Sequence, residues 1–195
     1  QISTDSPKKY TIVTAPTGAG KTDFLLRRCR GRVFYVLPFQ ASINAMYDRI
    51  KKDLSDTDAQ VSLLHSASNL KVKDGTLEES IMQRFVGSSV KVMTPHQMAS
   101  IVFGIKGYES MAIDLKGCDV ILDEIHTYSD VIQSIVLHII DILIALGCRI
   151  HIGTATMPSA LYNKIIEIMG GKEKVYEVNL ADSTLVSFNR HRIYK

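Results

Sequence analysis

Two short stretches carry residue types that do chemistry on phosphates. The first, Ala15-Pro16-Thr17-Gly18-Ala19-Gly20-Lys21-Thr22, follows the β-branched run Thr11 to Thr14 and opens a segment of helical character. Gly18 and Gly20 let the backbone curl so that successive N–H groups face one concavity, and a helix starting near Lys21 adds its positive end. Such a nest, spanning Thr17, Gly18, Ala19, Gly20, Lys21 and Thr22, would cradle a triphosphate. Lys21 reaches the β and γ phosphates and the Thr22 hydroxyl ligates Mg2+. Ala15 stands where the common pattern has its first glycine. The second stretch is Asp123-Glu124-Ile125-His126, at the end of the apolar run Val120 to Leu122. Asp123 is placed to hold the Mg2+ and Glu124 to polarise an attacking water, work that suits a carboxylate beside a metal. An acidic pair after a strand is by itself a common solvated turn; the glycine-rich loop upstream gives it a chemical reading.

For these residues to meet, both stretches must lie at the carboxyl ends of strands in one parallel sheet, where ligands of such folds sit. Apolar runs recur at Thr11 to Thr14, Val33 to Leu37, Val61 to Leu64, Val90 to Met93, Val120 to Leu122, Ile150 to Gly153 and Val175 to Val178. Most are continuous, as strands covered on both faces require. Helix-length segments alternate with them: Lys21 to Cys29, Ala41 to Lys52, Leu77 to Phe85, His96 to Phe103, Ser129 to Leu146 and Ser159 to Met169. The expectation is an α/β fold with a mostly parallel sheet and helices on both faces. Ser129 and Ser159 read as N-caps, Gly147 and Gly170 as C-terminal stops. The segment Gly104 to Gly117, glycine-flanked and weakly periodic, reads as a mobile insert.

Composition sets the outer limits. With 195 residues and 46% apolar residues the chain can bury a substantial core, which excludes disorder and a small disulfide scaffold. Its net charge is +3, which permits a polyanion partner without demanding one. Three cysteines lie far apart with no C-x-x-C pair, so neither a zinc site nor a disulfide framework is expected, and a reducing cytoplasm fits best. The apolar run Val131 to Leu146 is interrupted by Gln133, His138 and Asp141, too short and too polar for a membrane span. It reads as a buried helix. The seven methionines read as core fillers.

The motifs together carry a resemblance. A-x-T-G-x-G-K-T with Asp123-Glu124-Ile125-His126 resembles the first RecA-like lobe of superfamily 2 DExH helicases, in which alanine is common at the position of Ala15. Other motifs follow in order: Leu37-Pro38-Phe39-Gln40, Thr94-Pro95-His96-Gln97 and Thr154-Ala155-Thr156-Met157-Pro158. Within that superfamily, Leu37 to Met46, Leu64-His65, Asp123 to Tyr128 and Phe188-Asn189-Arg190-His191 are most similar to the CRISPR-associated helicase-nuclease of type I systems. The resemblance implies a RecA-like domain over 1–178, with 179–195 a linker toward a missing second lobe. It also implies an ATP-dependent helicase translocating on single-stranded DNA in a prokaryotic cytoplasm. Its implied partners are a second RecA-like lobe, a nuclease domain of the same full-length protein and a CRISPR RNA-guided surveillance complex. No histidine here precedes an aspartate, so the His-Asp mark of that nuclease is absent from this sequence. Since the family's arginine finger lies in the second lobe, this chain alone is expected to bind ATP and scarcely hydrolyse it.

The resemblance puts Pro38, Gln40, Thr94 and Gln97 beside the DNA backbone and makes His126 a coupler to the loop of Thr154 and Thr156. Residue chemistry leaves bland readings beside these: Pro38 and Pro95 can simply start helices, and His126 can be a structural histidine. His138 and His151 carry no special reading. The clusters Arg27, Arg28, Arg30 and Arg32, and Lys51 with Lys52, fit a strip for a polyanion or ordinary solvated faces. Two other functions stay open: a DExH helicase acting on RNA or duplex DNA, and a nucleotide-binding switch that does no motor work.

Overall fold

A computed structural model describes residues 3–16, 18–38, 40–53, 55, 61–63, 89–106 and 108–179. Seven strands form one sheet: β1 Tyr10–Thr14, β2 Val33–Val36, β3 Val61–Leu63, β4 Val90–Met93, β5 Asp119–Leu122, β6 Arg149–Thr154 and β7 Val175–Asn179. Every pairing is parallel, in the order β3-β4-β2-β5-β6-β1-β7. The described helices are α1 Lys21–Arg28, α2 Gln40–Asp53, α3 Pro95–Val102, α4 Glu109–Leu115, α5 Asp130–Ala145 and α6 Ser159–Ile168. This is the α/β, RecA-like doubly covered sheet. Alternate residues of β2 divide its two cores. Phe34 and Val36 join Met98, Ile101, Met111, Val136, Ile139 and Ile165 on the face of α3 to α6; Tyr35 joins Leu25, Ile43 and Ile50 on the face of α1 and α2.

The strands begin and end within a residue or so of the apolar runs, and β2, β4 and β5 are buried along their whole length. Helix α5 buries Val136, Ile139, Ile140 and Leu143, while Val131 near its start is 71% exposed. Gly147 and Gly170 take positive φ after α5 and α6, the left-handed stop that glycine permits. No described helix is long and apolar enough to cross a membrane. Met93, Met98, Met111 and Met169 are buried in the core; Met82 lies outside the described residues.

Two expectations are corrected. Gly104 to Gly117 contains helix α4, whose Met111, Asp114 and Leu115 are buried. The polar member of that face hid the period: Asp114 pairs with fully buried Lys91 at 2.7 Å and with Arg32, pinning α4 to the sheet. Ser159 is the first residue of α6 and Pro158 holds the cap position; Ser129 does cap α5 by position, without a side-chain cap bond. The expected helix Leu77 to Phe85, residue Leu64 of the third run and the tail after Asn179 lie outside the described residues.

At the amino edge of the sheet a buried polar chain replaces apolar packing, and His151, unremarkable in sequence, is its centre. Arg28 Nε donates to Thr11 Oγ1 (3.2 Å), leaving the Thr11 hydroxyl proton for His151 Nδ1 (3.1 Å). His151 Nε2 in turn donates to Asp119 Oδ1 (2.8 Å). Asp119 also accepts from Arg149 Nε (3.1 Å) and from the backbone N–H groups of Arg30 (2.9 Å) and Gly31 (3.0 Å). This pattern holds His151 as the neutral Nε2–H tautomer. Cys29 approaches Asp119 and His151 closely enough to suggest a metal cage. The donors around Asp119 are already engaged, and burial pushes the Cys29 thiol far above its ordinary value, so the trio is structural.

Burial lowers the pKa of His151, with Arg149 and Arg28 adding to the effect and the Asp119 hydrogen bond opposing it. The unfolded chain therefore takes up the proton first, near pH about 6.5, while folded His151 stays neutral. Stability present above that pH is lost as pH falls below it, by up to about 1.4 kcal/mol per pH unit. Thermal midpoints measured from pH about 7.5 to about 5.5 should decline, and His151→Gln should flatten the slope. An unchanged slope in the variant would remove His151 from this role.

Candidate functional site

The site forms where β1 and β5 end on either side of β6. After β1 the chain is tied to β6 by Ala15 N donating to Thr154 O (3.0 Å). Gly18 and Gly20 have φ of 83° and 81°, left-handed values that a side chain would oppose. Gly20 caps α1 with no side chain, so the first N–H groups of the helix stay open toward the concavity. Thr17 lies outside the described residues. Lys21, only 4% exposed, turns its ammonium onto Glu124 Oε1 at 2.7 Å and Asp123 Oδ1 at 3.6 Å. A buried cation requires such neighbours.

Asp123 is buried and held at both oxygens. Tyr35 Oη donates to Oδ2 (2.6 Å) and the Glu124 N–H to Oδ1 (2.9 Å). The Thr22 side chain hydrogen-bonds the same Tyr35 hydroxyl, and this site raises the Tyr35 pKa well above its ordinary value, burial first and the Asp123 charge second. A Cβ on Gly153 would overlap Asp123 Oδ1 and lie 2.8 Å from Leu25, so β6 must be bare there for α1 and β5 to close over it. Glu124 has φ of 55°, the one non-glycine residue with positive φ among the described residues. That turn, which L side chains resist, starts the short 3-10 segment Ile125–Thr127.

His126 closes the constellation. Its Nδ1 lies 3.1 Å from Thr154 Oγ1, 3.4 Å from Glu124 Oε2 and 3.4 Å from the Ala155 nitrogen. Thr154 Oγ1 donates to the Thr156 carbonyl, and the Ala155 N–H donates to His126 Nδ1. Lys21, Thr22, Asp123, Glu124, His126 and Thr154 thus share one contiguous network.

The other residues singled out in sequence sit apart from it. Pro38 is half-buried in the turn after β2, and Gln40 opens α2. Thr94 and Gln97 form a capping box on α3: Gln97 N donates to Thr94 Oγ1 (3.2 Å) and Thr94 N to Gln97 Oε1 (2.9 Å), with Pro95 at the first helical position. Their side chains are thereby engaged in starting a helix. Because β2 and β4 are adjacent strands next to β5, these turns line the same carboxyl edge as Asp123. Sequence reasoning missed Tyr35 and Gly153. Each left a trace: a phenol inside a doubly covered strand needs a hydrogen-bond partner, and a glycine within a strand marks close approach.

A family model described as DEAD/DEAH box helicase matches residues 2–164. The CRISPR-associated nuclease/helicase Cas3 of Methanothermobacter thermautotrophicus is 29% identical over 164 residues, covering 78% of this chain and 20% of that protein. The Escherichia coli CRISPR-associated endonuclease/helicase Cas3 is 22% identical over 191 residues, 82% of this chain and 21% of its own length. The chain therefore spans about a fifth of these relatives. The crystal structure of T. fusca Cas3 with AMPPNP superposes with a TM-score of 0.68 at 19% identity, over 90% of this chain and 22% of that one, a likeness of fold.

The hydroxyl of Tyr35 is the contact most readily isolated. Tyr35→Phe leaves Asp123 Oδ2 short of its buried donor, which should cost about 1–3 kcal/mol and lower the thermal midpoint by several degrees. A midpoint equal to that of the unaltered chain would mean that Asp123 is not held this way.

Proposed function

Since the chain belongs to the DEAD/DEAH box helicase family, we propose that it is the ATP-binding motor lobe of a translocase acting on single-stranded DNA in CRISPR interference, in a prokaryotic cytoplasm. The observation that carries this reading is the Lys21 ammonium bridging to Glu124 and Asp123 beneath the open end of α1. Phosphate oxygens entering over Gly18 to Gly20 offer the ammonium stronger partners, the Thr17 to Thr22 backbone supplying the surrounding donors. Lys21 then leaves Glu124 free to orient the attacking water. His126, hydrogen-bonded to Thr154, passes the position of Glu124 to the loop through Thr156.

The donor set suits a hard divalent cation. Asp123 and Thr22 are oxygen donors linked through the Tyr35 hydroxyl, and these two would hold Mg2+. When bound, that ion offsets phosphate charge. Pro38, Gln40, Thr94 and Gln97, on turns at the same edge, are assigned to the DNA backbone; the first turn of α3 offers this assignment the His96 N–H, since Pro95 has none and those of Thr94 and Gln97 are engaged in the capping box. The relatives' names, CRISPR-associated nuclease/helicase and endonuclease/helicase, support a nuclease domain in the same polypeptide; the partner we assign is a CRISPR RNA-guided surveillance complex. Residues 1–178 act as the lobe and 179–195 lead to a second RecA-like lobe that supplies an arginine finger.

The test is a paired measurement of binding and turnover. Lys21→Ala should weaken Mg-ADP binding by at least about tenfold in calorimetry with the circular dichroism spectrum kept. In a two-lobe protein with single-stranded DNA, Glu124→Gln should keep binding and lower phosphate release by about 10²–10⁴-fold. The 195-residue chain should turn over about 10³–10⁵-fold more slowly than the two-lobe protein. Vigorous hydrolysis by the single lobe, or undiminished binding by Lys21→Ala, would overturn the assignment.

A further inference from the structure

A parallel sheet collects the amino ends of its strands on one edge, and here that edge is cationic. Tyr10 pairs in register with Ile150 on one side and Val175 on the other, so Lys9, Arg149 and Lys174, each one residue earlier, occupy matching positions on β1, β6 and β7. Adjacent strands lie about 4.8 Å apart, which puts three cations within about 10 Å with no acid between them. Lys9 and Lys174 are exposed. Like charges side by side cost stability in a sheet, and nothing in the fold requires them at these positions.

The acids nearby are turned away. Asp119 is buried and spent on His151 and Arg149, and the Glu173 carboxylate folds back over Gly171. Lys8, Lys9, Lys174 and Tyr10 line an open cavity of about 240 Å³ that has no carboxylate in its wall. Lys8 spends one donor on the Val175 carbonyl (2.9 Å), and the Lys174 ammonium rests over Gly170 at the end of α6. Each keeps further N–H donors for a ligand.

We propose that this amino edge is a second polyanion site, which takes the phosphodiester backbone of a single-stranded nucleic acid. Protein interfaces are built on an apolar centre and are poor in lysine. The large exposed apolar residues among those described, Phe103, Ile105, Ile113 and Val131, belong to α4, α5 and the turn between α3 and α4. Three lysines around one open cavity instead match the cationic groove that tracks the backbone of a single strand. The site lies across the sheet from Lys21 and stands independently of the nucleotide reading.

The experiment is anisotropy of a labelled oligothymidylate with the whole chain, without nucleotide, over a salt series. The Lys9→Glu/Lys174→Glu pair should weaken binding about fivefold to tenfold and make the log-log salt slope shallower by about 0.7 per lost phosphate contact. Lys51→Glu/Lys52→Glu, on α2, should change neither. If charge reversal disturbs β1 in circular dichroism, Lys9→Ser/Lys174→Ser must show the same loss of slope. Unchanged affinity and slope in the edge variants would overturn the proposal. Equal competition by oligoglutamate would overturn the nucleic-acid assignment in favour of an acidic protein partner.

Discussion

The buried ammonium of Lys21 is the constraint around which this end of the molecule is organised. A lysine 4% exposed is tolerated only beside negative charge. Its partners Glu124 and Asp123 come from the other side of β6, so the glycine-rich loop and the acidic pair hold each other in place before any ligand arrives. Glu124 is about a quarter exposed, which screens its share of the attraction; Asp123, 3% exposed at its side chain, is the deeper anchor. On the proposed reading the same ammonium receives phosphate. Binding would then exchange one set of anionic partners for another without leaving a buried cation bare.

That exchange is possible because of what stands between the two motifs. The strand order inserts β6 between β1 and β5, and β6 contributes a glycine at the level of Asp123 followed at once by the Thr154 hydroxyl. Any side chain at 153 would push Asp123 or Leu25 aside. Tyr35 completes the support from β2, its hydroxyl joining Asp123 to Thr22. One strand side chain, one helix side chain, the Glu124 N–H and the bare backbone of Gly153 therefore fix a single carboxylate.

How much of this was legible in sequence follows from how local each signal is. The glycine-rich loop and Asp123 to His126 are contiguous, and their chemistry could be read from residue type and order alone. Doubly buried strands announce themselves as unbroken apolar runs, which is why their ends fell close to the observed ones. Helix α4 was hidden because its inward face carries Asp114, whose burial is offset by Lys91 and Arg32 from distant strands. Tyr35, Gly153 and His151 acquire their roles only from strand order, which no local pattern states. Thr94 and Gln97 show the reverse: a motif spacing that fits phosphate contact is also the spacing of a capping box, and the side chains serve the helix.

Helix α1 joins the two edges of the sheet. It carries Lys21 at one end of its eight residues and Arg28 at the other, about 10 Å apart along the axis. Arg28 is 2% exposed and donates to Thr11 Oγ1 and to the carbonyls of Thr4, Ser6 and Lys8, so the far end of the helix is clamped to the segment that leads into β1. A helix fixed at both ends cannot tilt when its amino end meets phosphate. On the proposed reading, the displacement must therefore be absorbed by the less buried partner, Glu124, whose backbone already sits in a left-handed conformation. From Glu124 a side-chain route runs through His126 to Thr154 and the turn that precedes α6. On the same reading, rigidity in α1 would direct a change at the phosphates outward along β6.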